Sequence, residues 1–220
     1  MVSQIADRQL ARSKGLAEIA LGCFGYFILA LILLHGLRPD YTPVDHMISD
    51  YAVGRLGWVM TTAFVAVALG CLTLGWGMAI AGPGSLPGRA AILLLWVATL
   101  GLLVTAIFPT DLATAVTTTT GNIHTLSFLV NVISLILCAL LFAISFHQSE
   151  DWRGYRWIGS ALAIALLAAF VAQFLTLRRG APYGLTNRLF VAVLMVWFLA
   201  AARQLRRVAI LRQGSMTPNP

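Results

Sequence analysis

The chain has 220 residues, 59% of them hydrophobic and only 10% charged, with a mean hydropathy of +0.85. A soluble domain carries about a quarter charged residues, so this chain cannot cover a globule with polar surface and a bilayer is its natural solvent. The net charge of +7 comes from one lysine and fourteen arginines against eight acids. The basic residues cluster beside apolar segments, which is the pattern of membrane topology rather than of a groove tracking phosphates, so nucleic acid is not an expected partner.

Residues 1–15 are polar and basic, with Arg8, Arg12 and Lys14, and read as a cytoplasmic N-terminus. The apolar run from Leu16 to about His35 follows; ~20 residues at ~1.5 Å each cross a ~30 Å hydrocarbon core. It is too long for a signal-peptide core, and RPDY rather than a small-residue cleavage site comes next, so it reads as an uncleaved first span. Five more spans follow at 58–81, 90–108, 123–146, 157–177 and 189–202. They are joined by GPGSLPGR, TDLATAVTTTTGN, HQSEDWRGYR and RRGAPYGLTNR. Trp152, Tyr155 and Trp157 sit where interfacial aromatics belong.

The expected fold class is therefore all-α: a polytopic membrane helix bundle of six transmembrane helices over residues 16–208, followed by a disordered cytoplasmic tail at 209–220. Ten of the lysines and arginines fall on the side of the termini and five on the other. The positive-inside rule then puts both termini in the cytoplasm and the first loop outside, in a plasma-membrane protein. Cys23, Cys71 and Cys138 all lie within apolar segments with no paired spacing, so neither a disulfide framework nor a zinc knuckle is expected.

The first loop, residues 38–57, carries most of the chemistry. Thr42 and Pro43 fit the cap and first position of a short helix, Asp45 stands where a capping-box acid stands, and Gly54 can end it. Val44, Met47, Ile48 and Tyr51 form an apolar stripe, with Asp45, His46, Ser49 and Asp50 opposite, so a short amphipathic helix is expected here. Further along, Asp111 closes span three. His124, Ser127, Asn131, Ser134 and Cys138 repeat at helical spacing on span four. Hydrocarbon offers such a stripe no partners, so it must face the bundle interior. Gln173 and Thr176 lie in the outer half of span five.

RPDYTPVDHMISDYAVG after span one, FPTD at 108–111, GNIH at 121–124 and GLTNRLF at 184–190 together resemble domain-of-unknown-function family 998, small integral membrane proteins of about six helices. The resemblance covers about residues 16–208. It implies the fold and topology, and it aligns Pro39, Asp40, Ser49, Asp50, Asp111, His124 and Arg188 with motif positions. Asn187 stands where the family pattern often has Gln, and His46 matches no motif position. No reaction comes with the resemblance.

Three functions fit these residues. The first is a membrane-embedded enzyme acting on a lipid or lipid-linked substrate at the outer face. Asp50, Asp111, His124 and Ser49 would be its catalytic candidates: a carboxylate and an imidazole as base and orienter, with serine as a nucleophile within reach of the histidine. Asp50, Asp111 and His124 are also the donors that a divalent metal would use. Arg38, Asp40, Arg55, Asn187 and Arg188 would bind substrate, guanidinium being suited to a phosphate head. The second is a non-catalytic membrane component or sensor in which Asp50 pairs with Arg188 and Asp111 with His124. The third is a small transporter, which the lack of any acid near mid-span disfavours.

Overall fold

Apolar runs in a bilayer must satisfy every backbone group internally, and a helix does so within one segment. In the computed structural model, which describes residues 2–112, 115–178 and 180–216, the six runs form six helices. These are α1 (Val2–Leu37), α2 (Gly57–Ala81), α3 (Leu86–Ile107), α4 (Thr119–His147), α5 (Arg156–Thr176) and α6 (Tyr183–Met216). Each is long and apolar enough to cross a membrane, and among the described residues there is no strand. The protein is a polytopic membrane helix bundle.

Local chemistry sets the helix ends. α3 begins behind Ser85 with proline in its first turn, and it stops one residue before Phe108-Pro109, because a residue preceding proline disfavours the helical region. α4 is capped by Thr118, whose hydroxyl accepts from the Gly121 amide at 3.1 Å.

Each helix packs against its neighbour in the chain, and α6 returns to α1, so the six close into a ring. At the end that carries the chain termini, here the terminal end, aromatic rings fill the interior. Phe24 of α1 stacks on Phe198 of α6 at 4.4 Å, and Trp197, Phe142, Phe146 and Trp152 continue the stack. Small residues let α2 approach α1 and α6 closely. A Cβ on Gly70 would strike the Phe24 ring at 2.5 Å, and one on Gly77 would strike Leu205 at 2.6 Å. The opposite, distal end is less filled, and the candidate site lies there.

Two features differ from the sequence reading. Helix α1 starts at Val2 and α6 runs to Met216, where an unstructured tail was expected from residue 209. The cause is packing between the two extensions. Leu10, Leu205, Val208 and Ala209 are buried, and Ser13 Oγ donates to Gly77 O at 3.0 Å. Glu18 pairs with Arg206 at 2.8 Å, Gln213 reaches Asp7 at 3.0 Å, and Arg212 pairs with Asp151. A composition that looks polar hides a buried stripe. Residues 217–220 lie outside the described residues.

The second difference is in the first loop. Thr42 and Asp45 do make the capping pair, with Thr42 Oγ1 accepting from the Asp45 amide at 3.2 Å and donating to Asp45 Oδ2 at 3.0 Å. They cap only a turn. The short helix begins later, is of 3-10 type and spans Ile48–Ala52. In a three-residue repeat Ile48 and Tyr51 eclipse and both are buried. Asp50, expected on the solvated face, is buried too, because it folds back to accept from the Met47 amide at 3.0 Å.

Candidate functional site

Three stretches far apart in sequence build the distal end. The first is the loop 38–56, which the start of α6 clasps. Gly184 lets the first turn of α6 touch the loop backbone: a Cβ there would meet the carbonyl oxygens of Pro43, His46 and Val44 at 2.5–2.7 Å. The Gly184 amide donates to Val44 O at 2.9 Å. Asn187 Oδ1 accepts from the Ile48 amide at 2.9 Å, fixing the start of the 3-10 helix. Arg188 donates to Pro43 O, His46 O and Gly184 O at 2.9, 2.6 and 3.0 Å, to Tyr51 Oη at 3.3 Å and to His35 Nε2 at 2.7 Å. His35 Nδ1 lies 2.7 Å from Leu31 O, which can only accept, so that nitrogen carries the proton and Nε2 is free to accept from Arg188.

Arg38 braces the other half of the loop. Its guanidinium forks onto Asp40 at 2.8–3.1 Å, donates to Val53 O at 3.0 Å and to Arg55 O, and covers the Tyr41 ring at 4.4 Å. The two carbonyls flank Gly54 (φ 75°) and precede Leu56 (φ 64°), a residue in the left-handed region that costs ~1–2 kcal/mol for a side chain with a Cβ. The Arg38 guanidinium holds the Asp40 carboxyl below the usual carboxylate range.

The third stretch is the α3–α4 junction. Asp111 accepts from the Thr118 amide at 2.6 Å and from its hydroxyl at 2.8 Å, and Thr118 in turn caps α4. The carboxylate sits directly on Gly121, where any Cβ would collide with it. That explains why FPTD and GNIH belong together: the acid needs a glycine beneath it. His124 Nδ1 lies 2.7 Å from Phe108 O, so its proton is on Nδ1 and Nε2 is left as an acceptor. Below it Ser127, Thr105 and Asn131 form a short chain, Ser127 Oγ being 2.9 Å from Thr105 Oγ1 and Asn131 Nδ2 donating to that oxygen at 3.0 Å. Asn131 Oδ1 is buried and has no hydrogen-bond partner among the described residues.

These stretches surround a cavity of about 530 Å³, within the ~300–1,000 Å³ typical of small-ligand sites. Its rim carries Ser49, Asp50, Thr110, Asp111, His124, Arg178, Tyr183 and Asn187. Its depth is mostly apolar, lined by Phe27, Phe64, Leu102, Leu135, Phe190 and Met195 among others, with Thr105 and Asn131 also on its wall. From His124 to Leu135 along α4 is about 16 Å at ~1.5 Å per residue, more than half of a ~30 Å core. Among the described residues, the α5 segment meets the cavity only through Leu177 and Arg178, just past the helix end.

Asp50 is the most exceptional group on the rim. It is 6% exposed, its Oδ2 is bound to the Met47 amide, and among the described residues nothing bonds to Oδ1. Burial pushes its carboxyl above the usual range, against the opposing pull of the Met47 amide, His46 and Arg188.

Of the residues singled out from sequence, Ser49, Asp50, Asp111, His124 and Asn187 line this cavity. Arg38, Asp40, Arg55 and Arg188 do not; Arg38 and Arg188 are committed to the loop backbone, and Arg55 is exposed beside it. The direct pairs Asp50–Arg188 and Asp111–His124 are not formed among the described residues, whose salt bridges lie elsewhere. Both oxygens of Asp111 are taken by Thr118. No three histidine, cysteine or acidic side chains of the described residues stand close enough to share a metal ion. Two rim residues went unmarked in the sequence, Arg178 and Tyr183; the only signal was their place in RRGAPYG, between two apolar runs.

A family model described as "Protein of unknown function (DUF998)" matches residues 20–204. No curated protein and no solved structure matches the chain significantly.

Proposed function

The chain belongs to the DUF998 family, and we propose that this multi-pass membrane protein receives a lipid or lipid-linked molecule in its distal cavity, with the polar head at the rim. The supporting observation is the division of the cavity wall: a mostly apolar depth, interrupted by Thr105 and Asn131, topped by a ring of polar side chains. A purely apolar solute would leave the rim unused, and a small polar solute would leave the depth unused.

By the charge balance of the connections, the rim faces outward from the plasma membrane and the termini lie in the cytoplasm. Arg178, exposed and lining the rim, is the cation for a phosphate on the head; it takes the part that sequence reasoning gave to Arg38, Arg55 and Arg188. Asp50 and His124 are the groups able to move a proton: one a carboxyl that burial inclines to keep its proton, the other an imidazole with Nε2 open. Ser49 is the rim hydroxyl beside them.

The test is a titration of the purified full chain with single-chain amphiphiles of equal tail and different heads. Phosphate-bearing heads bind best, Arg178→Gln weakens them about tenfold (~1.4 kcal/mol), and Asp50→Asn leaves the affinity for a bare alkyl alcohol unchanged. Equal affinities for all heads in the wild type and in Arg178→Gln would remove the rim from the reading.

A further inference from the structure

A second hollow, of about 440 Å³, lies at the terminal end between the start of α5 and the last turns of α6. Arg203, Arg206 and Arg207 line it from α6, Tyr155 from just before α5, and Ile158 from the first turn of α5. Arg206 is neutralised by Glu18 at 2.8 Å. Arg203 and Arg207 are exposed, and among the described residues neither has a carboxylate partner. The hollow therefore carries uncompensated positive charge.

Two further features sharpen what this charge faces. The Tyr155 side chain is 5% exposed and lines the hollow, yet among the described residues its hydroxyl has no hydrogen-bond partner. A buried O–H without a partner costs ~1–3 kcal/mol, so such a donor marks where an acceptor belongs. Tyr155 is also the last residue of a 3-10 turn, Glu150–Tyr155, that runs directly into α5. Nε of Arg156, the first residue of α5, is likewise buried without a hydrogen-bond partner among the described residues. Beside this polar pocket Ile158 is 55% exposed and Leu211 61% exposed, apolar surface suited to a hydrocarbon chain.

We propose that this groove binds the phosphate of an anionic phospholipid. Arg203 and Arg207 hold the phosphate, the Tyr155 hydroxyl donates to one of its oxygens, and the acyl chain lies along Ile158 and Leu211. A basic pocket between membrane helices is suited to such a head group, and the neighbouring apolar side chains favour a lipid over free phosphate. The site is at the opposite end of the bundle from the distal cavity and does not depend on the function of that cavity.

The full chain in a non-ionic detergent is melted with added phosphatidylglycerol, phosphatidylcholine or inorganic phosphate at matched concentration. Phosphatidylglycerol raises the midpoint by several degrees over phosphatidylcholine, and inorganic phosphate gives only a small part of that shift. The double variant Arg203→Gln/Arg207→Gln melts like the wild type in phosphatidylcholine and loses the added shift. Tyr155→Phe, which keeps the ring packing, needs about tenfold more phosphatidylglycerol (~1.4 kcal/mol). An equal shift from the two lipids, a double variant that responds like the wild type, or a Tyr155→Phe titration that superimposes on the wild type would overturn the site. A full shift from inorganic phosphate alone would overturn its assignment to a lipid.

Discussion

At the scale of single residues, the arginines and aspartates of this protein divide into those used up by the fold and those left open. Arg38 and Arg188 each make several bonds to backbone carbonyls, and Asp111 gives both oxygens to Thr118. Among the described residues, the buried Asp50 keeps one oxygen without a hydrogen bond. Because burial raises its pKa, the folded chain binds this proton more tightly than the unfolded one. The stability from this group is fully present below the unfolded carboxyl value of ~3.9 and falls as pH rises through the raised folded value, staying low at neutral pH. Asp50→Asn keeps an acceptor for the Met47 amide and removes the titration. Its melting temperature should therefore match the wild type near pH 4 and exceed it at pH 7. An offset that is constant across that range would show that Asp50 does not carry this burden.

At the scale of elements, the first loop is a lid held by the start of α6. Arg188→Lys replaces a planar fork by a point charge that cannot reach Pro43 O, His46 O, Tyr51 Oη and His35 Nε2 together. The loss should be ~1–3 kcal/mol in thermal or denaturant unfolding. Hydrogen exchange should speed up at the Met47 and Ile48 amides while α2 and α3 stay protected. Unchanged exchange at Ile48 would mean that Asn187 alone holds the lid.

Much of this element scale was legible beforehand. Polar residues repeating at helical spacing cannot face lipid, and His124, Ser127, Asn131, Ser134 and Cys138 are all buried. The Thr42–Asp45 capping pair was visible as well. The type and start of the loop helix were not, because Tyr51 and Ile48 are held by tertiary contacts that no local pattern encodes. Nor could spacing reveal that Arg38 would be consumed two residues away by Asp40, leaving Arg178, 140 positions downstream, as the rim cation.

At the scale of the whole molecule, the closed ring of helices has two unlike ends. Aromatic stacking fills the terminal end, and the long α1 and α6 extend it through paired polar contacts. The distal end holds the cavity under the clasped loop. The lengths of α1 and α6 escaped sequence reading for a physical reason: their extensions are stabilised by each other, and a hydropathy window sees only the membrane-buried part.

The central claim is that this cavity holds the hydrocarbon of a lipid or lipid-linked molecule. Leu129 and Val191 both line it without being fully buried, so each can be enlarged with the fold retained. Native mass spectrometry of the full chain released from detergent should show one retained lipid-mass adduct in the wild type, and its loss in the double variant Leu129→Trp/Val191→Trp at an unchanged melting temperature. The same adduct at the same occupancy in both proteins would contradict the account.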